Sequence, residues 1–180
     1  FQGAPDTTSI GVGITALSAI PAALLATLLP IERLILPDRH SGVLDQLALR
    51  GWSDELVATA KIAGQIVAFA LPLFLATIVG AALIGLPEAQ LGTLLLGLAL
   101  ALPALSGLSV MIAALTAGLN GASALGGLLL VPITIPLLIF GAGTLAEDPG
   151  NAMQLLAATS LAITALSPFA AGAALRAGRI

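Results

Sequence analysis

Long apolar runs broken by one polar insert set the architecture of this chain. Four stretches contain no Asp, Glu, Lys or Arg: Thr7 to Ile31, Ile62 to Pro87, Ala89 to Ala146 and Gly150 to Leu175. A helix needs about 20 consecutive apolar residues to cross the hydrocarbon core of a bilayer. The first, second and fourth stretches fit one such helix each, and the third fits two, with a turn near Gly118-Leu119-Asn120-Gly121. The pattern predicts an all-α, polytopic transmembrane helix bundle forming a single domain over 1–180. Its five spans fall near 10–31, 62–84, 91–117, 125–144 and 152–175, and residues 32–61 form the polar insert.

Within the insert, Pro37 is expected to interrupt the helix leaving the first span, because proline cannot continue the hydrogen-bond ladder. Ser41 then offers an N-cap. Val43, Leu44, Leu47 and Ala48 follow at spacings that make one apolar helix face, with Asp45, Gln46 and Arg50 mostly elsewhere. Gly51 is a natural stop. A second helix start comes at once: Ser53 can cap, Asp54 and Glu55 suit the positive helix N-terminus, and Trp52 can staple onto Val57. The reading is a short amphipathic helix over Gly42 to Arg50 lying across one membrane face, then a turn into the second span. Such a helix serves either as an interfacial anchor of the bundle or as an apolar ridge that docks into a partner's groove. Trp52 reads as an interface anchor.

Composition supports the membrane assignment. Hydrophobic residues make up 58% and charged residues 8%, against roughly a quarter charged in soluble domains, and mean hydropathy is +1.11. With so few charges, the net charge of -3 describes no acidic binding surface, and no basic tract suggests nucleic acid. The absence of cysteine excludes disulfides and thiolate metal sites. Arg33, Arg39, Arg50 and Lys61 sit in the insert, and Arg176 and Arg179 at the carboxyl end. Four spans separate the two groups, so both lie on one side, which the positive-inside rule makes cytoplasmic. The chain thus starts outside and ends in the cytoplasm, and the odd span count suggests that one helix precedes it. Phe1-Gln2-Gly3 fits either the remnant of a cleaved tag or native sequence after that helix. The outer segments are too short to form a ligand-binding domain.

No catalytic, cofactor-binding or metal-binding constellation emerges. His40 is the one histidine and reads as a solvated turn residue. There is no phosphate-binding Gly-x-x-x-x-Gly-Lys-Ser/Thr loop. No span carries an ionisable residue, which counts against an ion-driven transporter. Of the side chains that commonly ligate haem iron, only His40, Met111 and Met153 are present; Met111 reads as packing, and Met153, near the outer face, as a weak candidate. Gly107-Leu108-Ser109 and Gly141-Ala142-Gly143 are small enough to let helices approach closely. Pro132 and Pro136, four apart, remove two backbone donors, so a kinked or broken helix is expected, serving as a mobile gate or a fixed bend. Pro168 adds a second kink in the last span.

Several segments together resemble a known family. Glu32-Arg33-Leu34, Asp38, Gly42-x-Leu44-x-Gln46-Leu47, the proline-rich Val131 to Phe140, Ser167-Pro168-Phe169-Ala170 and Ala173-Ala174-Leu175-Arg176 are similar, in order and spacing, to haem exporter protein B, the CcmB permease of cytochrome c maturation. That resemblance implies six spans in the complete protein, of which the first is missing here. It implies a non-catalytic, multi-pass subunit of an ABC transporter in the bacterial inner membrane. Its partners would be a cytoplasmic ATPase subunit, the haem-handling membrane subunits of the same system and a second copy of the permease. Haem would be a substrate handled by the complex rather than a bound cofactor, with ATP hydrolysis driving haem export or release of a haem-loaded chaperone. In this reading Gly42 to Arg50 is the coupling helix, and Glu32, Arg33 and Asp38 are its polar supports or contacts to the ATPase, alongside Gly42, Leu44, Gln46 and Leu47. Two other readings stand beside it: a secondary transporter of a small apolar solute, and a non-transporting membrane assembly subunit.

Overall fold

A computed structural model describes residues 31–117, 122–146 and 149–177. The first expected span, except for Ile31, the expected turn at 118–121 and Arg179 lie outside the described residues. Among those residues the chain is entirely helical: α1 (Ile31–His40), α2 (Val43–Leu49), α3 (Asp54–Ile84), α4 (Glu88–Thr116), α5 (Ala122–Gly143) and α6 (Ala152–Ala177). Three of them, α3, α4 and α6, are long and apolar enough to cross a membrane.

Local sequence explains where the helices stop and start. Gly51 takes φ 81°, and behind it Trp52 N–H donates to the Leu47 carbonyl at 3.1 Å and Gly51 N–H to Ala48 at 3.0 Å. This paired closure is the Schellman arrangement, which needs a left-handed residue after the helix. Gly85, φ 72°, closes α3 the same way, with Leu86 N–H on the Ala81 carbonyl at 3.0 Å. Ser53 Oγ accepts the Leu56 N–H at 3.3 Å and caps α3, as its sequence position suggests.

Two expectations for the insert fail. The helix does not break at Pro37; α1 runs through it to His40 and closes with Ser41 N–H on the Pro37 carbonyl at 3.0 Å. A proline has a helical φ and removes a single donor, here the one for the Arg33 carbonyl, and the helix continues with that one bond lost. Ser41 does not cap α2 either. The cap position falls on Gly42 in the left-handed region, φ 71°, and Ser41 Oγ instead donates to the Asp38 carbonyl at 3.3 Å.

The four long helices alternate in direction, with α4 at the centre. It packs against α6, α3, α5 and α1 and contributes most of the core, including Leu98, Ala101, Leu105, Ile112 and Ala113. Along α4, a Cβ on Gly97 would meet Leu156, the Leu100 carbonyl accepts the Ser160 hydroxyl, and a Cβ on Gly107 would meet Ser167. Both partners rise in number together, so α4 and α6 run parallel. At the other end of the sequence order, Glu55 of α3 touches Gly172 and Arg176 of α6, which makes those two antiparallel.

Candidate docking and coupling site

The polar insert folds onto one end of the bundle, and two ion pairs fasten it there. Asp38 of α1 pairs with Lys61 of α3, and Glu55 of α3 with Arg176 of α6. The insert's basic residues and the carboxyl-terminal Arg176 therefore share one end. Each pair is partly exposed, so solvent and salt screen its attraction. They act more as registers between helices than as sources of stability.

Helix α2 divides its side chains between the chain's own core and solvent. Leu44 is 6% exposed and joins Ile35, Ala58 and Ile62 in the buried cluster. Leu47 and Ala48 are half-buried, while Asp45, Gln46 and Arg50 are exposed. Leu49 is 88% exposed, and beside the turn Trp52 is 53% exposed. Leu44, Leu47 and Ala48 of the apolar ridge legible in the sequence thus face inward, and Val43 at its start is exposed. Leu44 and Leu47 hold α2 to the bundle, and the surface that a partner can touch is Gln46, Leu49, Arg50 and Trp52.

The other assigned residues fall as follows. Gly42 is the left-handed joint between α1 and α2. Asp38 is engaged within the chain by Lys61. Glu32 and Arg33 belong to α1 by their backbone, and their side chains lie outside the described residues. His40 is exposed, and Met111 and Met153 are half-buried; among the described residues no group of three His, Cys, Asp or Glu side chains forms.

Because Gly51 carries the closure of α2 at positive φ with open space above it, Gly51→Ala should cost about 1 kcal/mol through backbone strain alone. The expected result is faster cleavage of the insert in limited proteolysis, with the melting of the bundle almost unchanged.

The family model described as CcmB protein matches residues 5–178. The chain belongs to the CcmB family. Among its relatives is heme exporter protein B of Paracoccus denitrificans, 40% identical over 159 residues, which cover 86% of this chain and 73% of that protein. The protein of the same name from Pseudomonas aeruginosa is 38% identical over 161 residues, 86% of this chain and 72% of the relative. The one from Escherichia coli K12 is 36% identical over 162 residues, 86% and 73% respectively.

The segments that resemble CcmB have distinct structural settings. In the proline-rich segment, α5 runs unbroken from Ala122 to Gly143. Pro132 and Pro136 are both exposed, whereas Thr134, Leu137 and Gly141 are buried. The prolines therefore lie on the outward face of a helix that they do not break. Each removes one backbone donor, for the Leu128 and Pro132 carbonyls respectively. The Ser167-Pro168 pair of CcmB resemblance is different. Pro168 has no N–H for the Thr164 carbonyl, and Ser167 Oγ donates to that carbonyl instead, at 3.1 Å. Helix α6 stays continuous through the proline.

Sequence reading missed three features of this region. Gly107 stands against Ser167, where an added Cβ would lie 2.3 Å from the hydroxyl. Gly172 stands against Glu55, where an added Cβ would lie 3.0 Å from the amide nitrogen. Pro103, inside α4, removes the donor for the Ala99 carbonyl, and the adjacent Leu100 carbonyl takes the Ser160 hydroxyl from α6. The small residues were visible as a class, but which of them meet was not.

Proposed function

We propose that this chain is the permease subunit of an ABC transporter of cytochrome c maturation. In this reading a partner ATPase hydrolyses ATP, and the permease converts the resulting movement into haem export or release of a haem-loaded chaperone at the outer face. Membership of a family whose curated relatives carry the name heme exporter protein B supports the substrate. The observation that carries the coupling role is the division of α2, anchored inward by Leu44 and presenting Leu49 and Trp52 outward.

The positive-inside rule assigns the end bearing Arg39, Arg50, Lys61 and Arg176 to the cytoplasm, where an ATPase subunit would dock. An exposed tryptophan with a flanking arginine has the composition of an interface anchor, and Leu49 adds apolar surface beside it. The haem-handling subunits and a second permease would pack elsewhere on the bundle, within the inner membrane. No residue of this chain is assigned to catalysis; ATP hydrolysis belongs to the partner.

Leu49→Asp and Trp52→Asp should each lower recovery of the ATPase in co-purification at least about tenfold, the size expected for removing an interface anchor. Both residues are exposed, so the thermal stability of the isolated chain should stay within about 0.5 kcal/mol of wild type. Recovery of the ATPase at wild-type levels with both variants would refute the docking surface.

A further inference from the structure

The last turns of α6 pack on the core through Ala171 and Leu175, and are tied to the rest of the chain by polar and close contacts at two levels. At the tip, Arg176 pairs with Glu55, and Gly172 admits the Glu55 backbone so closely that an added Cβ would stand 3.0 Å from its nitrogen. These contacts fasten the tip to the first turn of α3, directly behind the turn that carries α2 and Trp52. At the base, Pro168 interrupts the backbone ladder, and the Ser167 hydroxyl closes the gap at the Thr164 carbonyl, at 3.1 Å. A hydroxyl rotates about its own bond, so this substitute tolerates a change of helix angle that a backbone N–H would resist. Gly107 leaves room for Ser167 at the same level. Before the base, α6 is fixed to α4 by the Ser160 hydroxyl on the Leu100 carbonyl and by the buried Leu156.

On these grounds, and resting on the ATPase-coupled reading above, we infer that Pro168 to Ala177 is a lever hinged at Ser167. Movement of the insert passes through Glu55 into Arg176 and Gly172, changes the bend of α6, and so reaches the seam between α4 and α6. At 1.5 Å per residue the lever is about 15 Å long, and a bend of about 20° moves its tip by about 5 Å.

The chain has no cysteine, so the test can use spin labels at single introduced cysteines in the complex with its ATPase, reconstituted in lipid nanodiscs. Leu115→Cys with Ala177→Cys reports the tip of the lever against the end of α4; both sites are exposed. Leu96→Cys with Leu155→Cys reports the other side of the hinge. Nucleotide binding is expected to shift the first distance by about 5 Å and leave the second unchanged. Pro168→Ala, which restores an N–H for Thr164, should cut that shift to less than half. Glu55→Arg should abolish it, and Glu55→Arg with Arg176→Glu should restore it. A partner that binds and hydrolyses ATP while the 115–177 distance stays constant overturns the lever and leaves the permease reading standing; so does a full shift in Pro168→Ala. Failure of the wild-type chain to bind any ATPase overturns both.

Discussion

Gly107→Ala is expected to lower the stability of the bundle by about 2 kcal/mol, although it adds a single methyl group. The new Cβ would lie 2.3 Å from Ser167 Oγ and 2.9 Å from Ser167 Cβ. Rotating the hydroxyl away relieves the first contact but strips the Thr164 carbonyl of its donor. The second contact can be relieved only by moving α4 and α6 apart, and α4 is the helix on which the others converge. Overpacking of this kind costs about 1–3 kcal/mol, and the displaced hydrogen bond about 1 kcal/mol more, partly offset by the better helix propensity of alanine. Unfolding in mixed micelles followed by circular dichroism reads the change. Gly64→Ala is the matched control, since nothing lies within 4 Å of its added Cβ; it should be neutral or slightly stabilising. Combining Gly107→Ala with Ser167→Gly should recover the steric part and leave the lost hydrogen bond. Equal behaviour of Gly107→Ala and Gly64→Ala would disprove the close approach.

Leu44→Asp should have the largest effect in the insert. Truncating a buried leucine costs about 2–5 kcal/mol, and a carboxylate in the same place must also be desolvated. The chain can escape the full penalty by detaching α2, which is only seven residues long and packs chiefly on α1. The expected result is therefore local: protease cleavage of the segment 41–53 accelerates by at least about tenfold, the equivalent of a 1.4 kcal/mol loss in local closure. The long helices should melt at nearly the wild-type temperature. Leu49→Asp, on the same helix but 88% exposed, should leave cleavage unchanged. If Leu44→Asp cleaved like Leu49→Asp, α2 would not be anchored by Leu44.

These two helix positions show what the sequence alone carries. Ser53 and Gly51 act on residues within one or two turns of themselves, so cap and stop were legible locally. The apolar face of α2 was legible too, but an apolar ridge has no sign: it can face a partner or its own bundle. Only the burial of Leu44, 6% exposed within the core cluster, decides that side of the choice. Ser41 and Pro37 were misread because each admits two local uses. The hydroxyl of Ser41 serves the helix before it instead of the one after, and Pro37, whose φ is helical, costs α1 one backbone bond without ending it. The Gly107–Ser167 contact joins positions 60 residues apart, the same separation as the Ser160–Leu100 hydrogen bond, and no local pattern encodes such a meeting. Family membership, by contrast, was legible from short segments whose physical settings turned out to differ: an anchored insert, an outward proline face and a proline whose carbonyl is closed by its neighbouring serine.

The hydroxyls of α4 bear on how this protein comes to exist in a membrane at all. Thr93, Ser109 and Thr116 each donate to the carbonyl four residues earlier in their own helix, at 3.2, 2.8 and 2.8 Å; Ser106 alone has no partner. A helix that satisfies most of its hydroxyls internally can enter lipid before its neighbours are made at lower cost than one that leaves them open. The bond to Ser160 and the seating of Ser167 are then formed only once α6 has been synthesised. Threading thus depends on α4 alone and packing on α6, so a fault at Gly107 is expected to leave the chain threaded but loosely assembled.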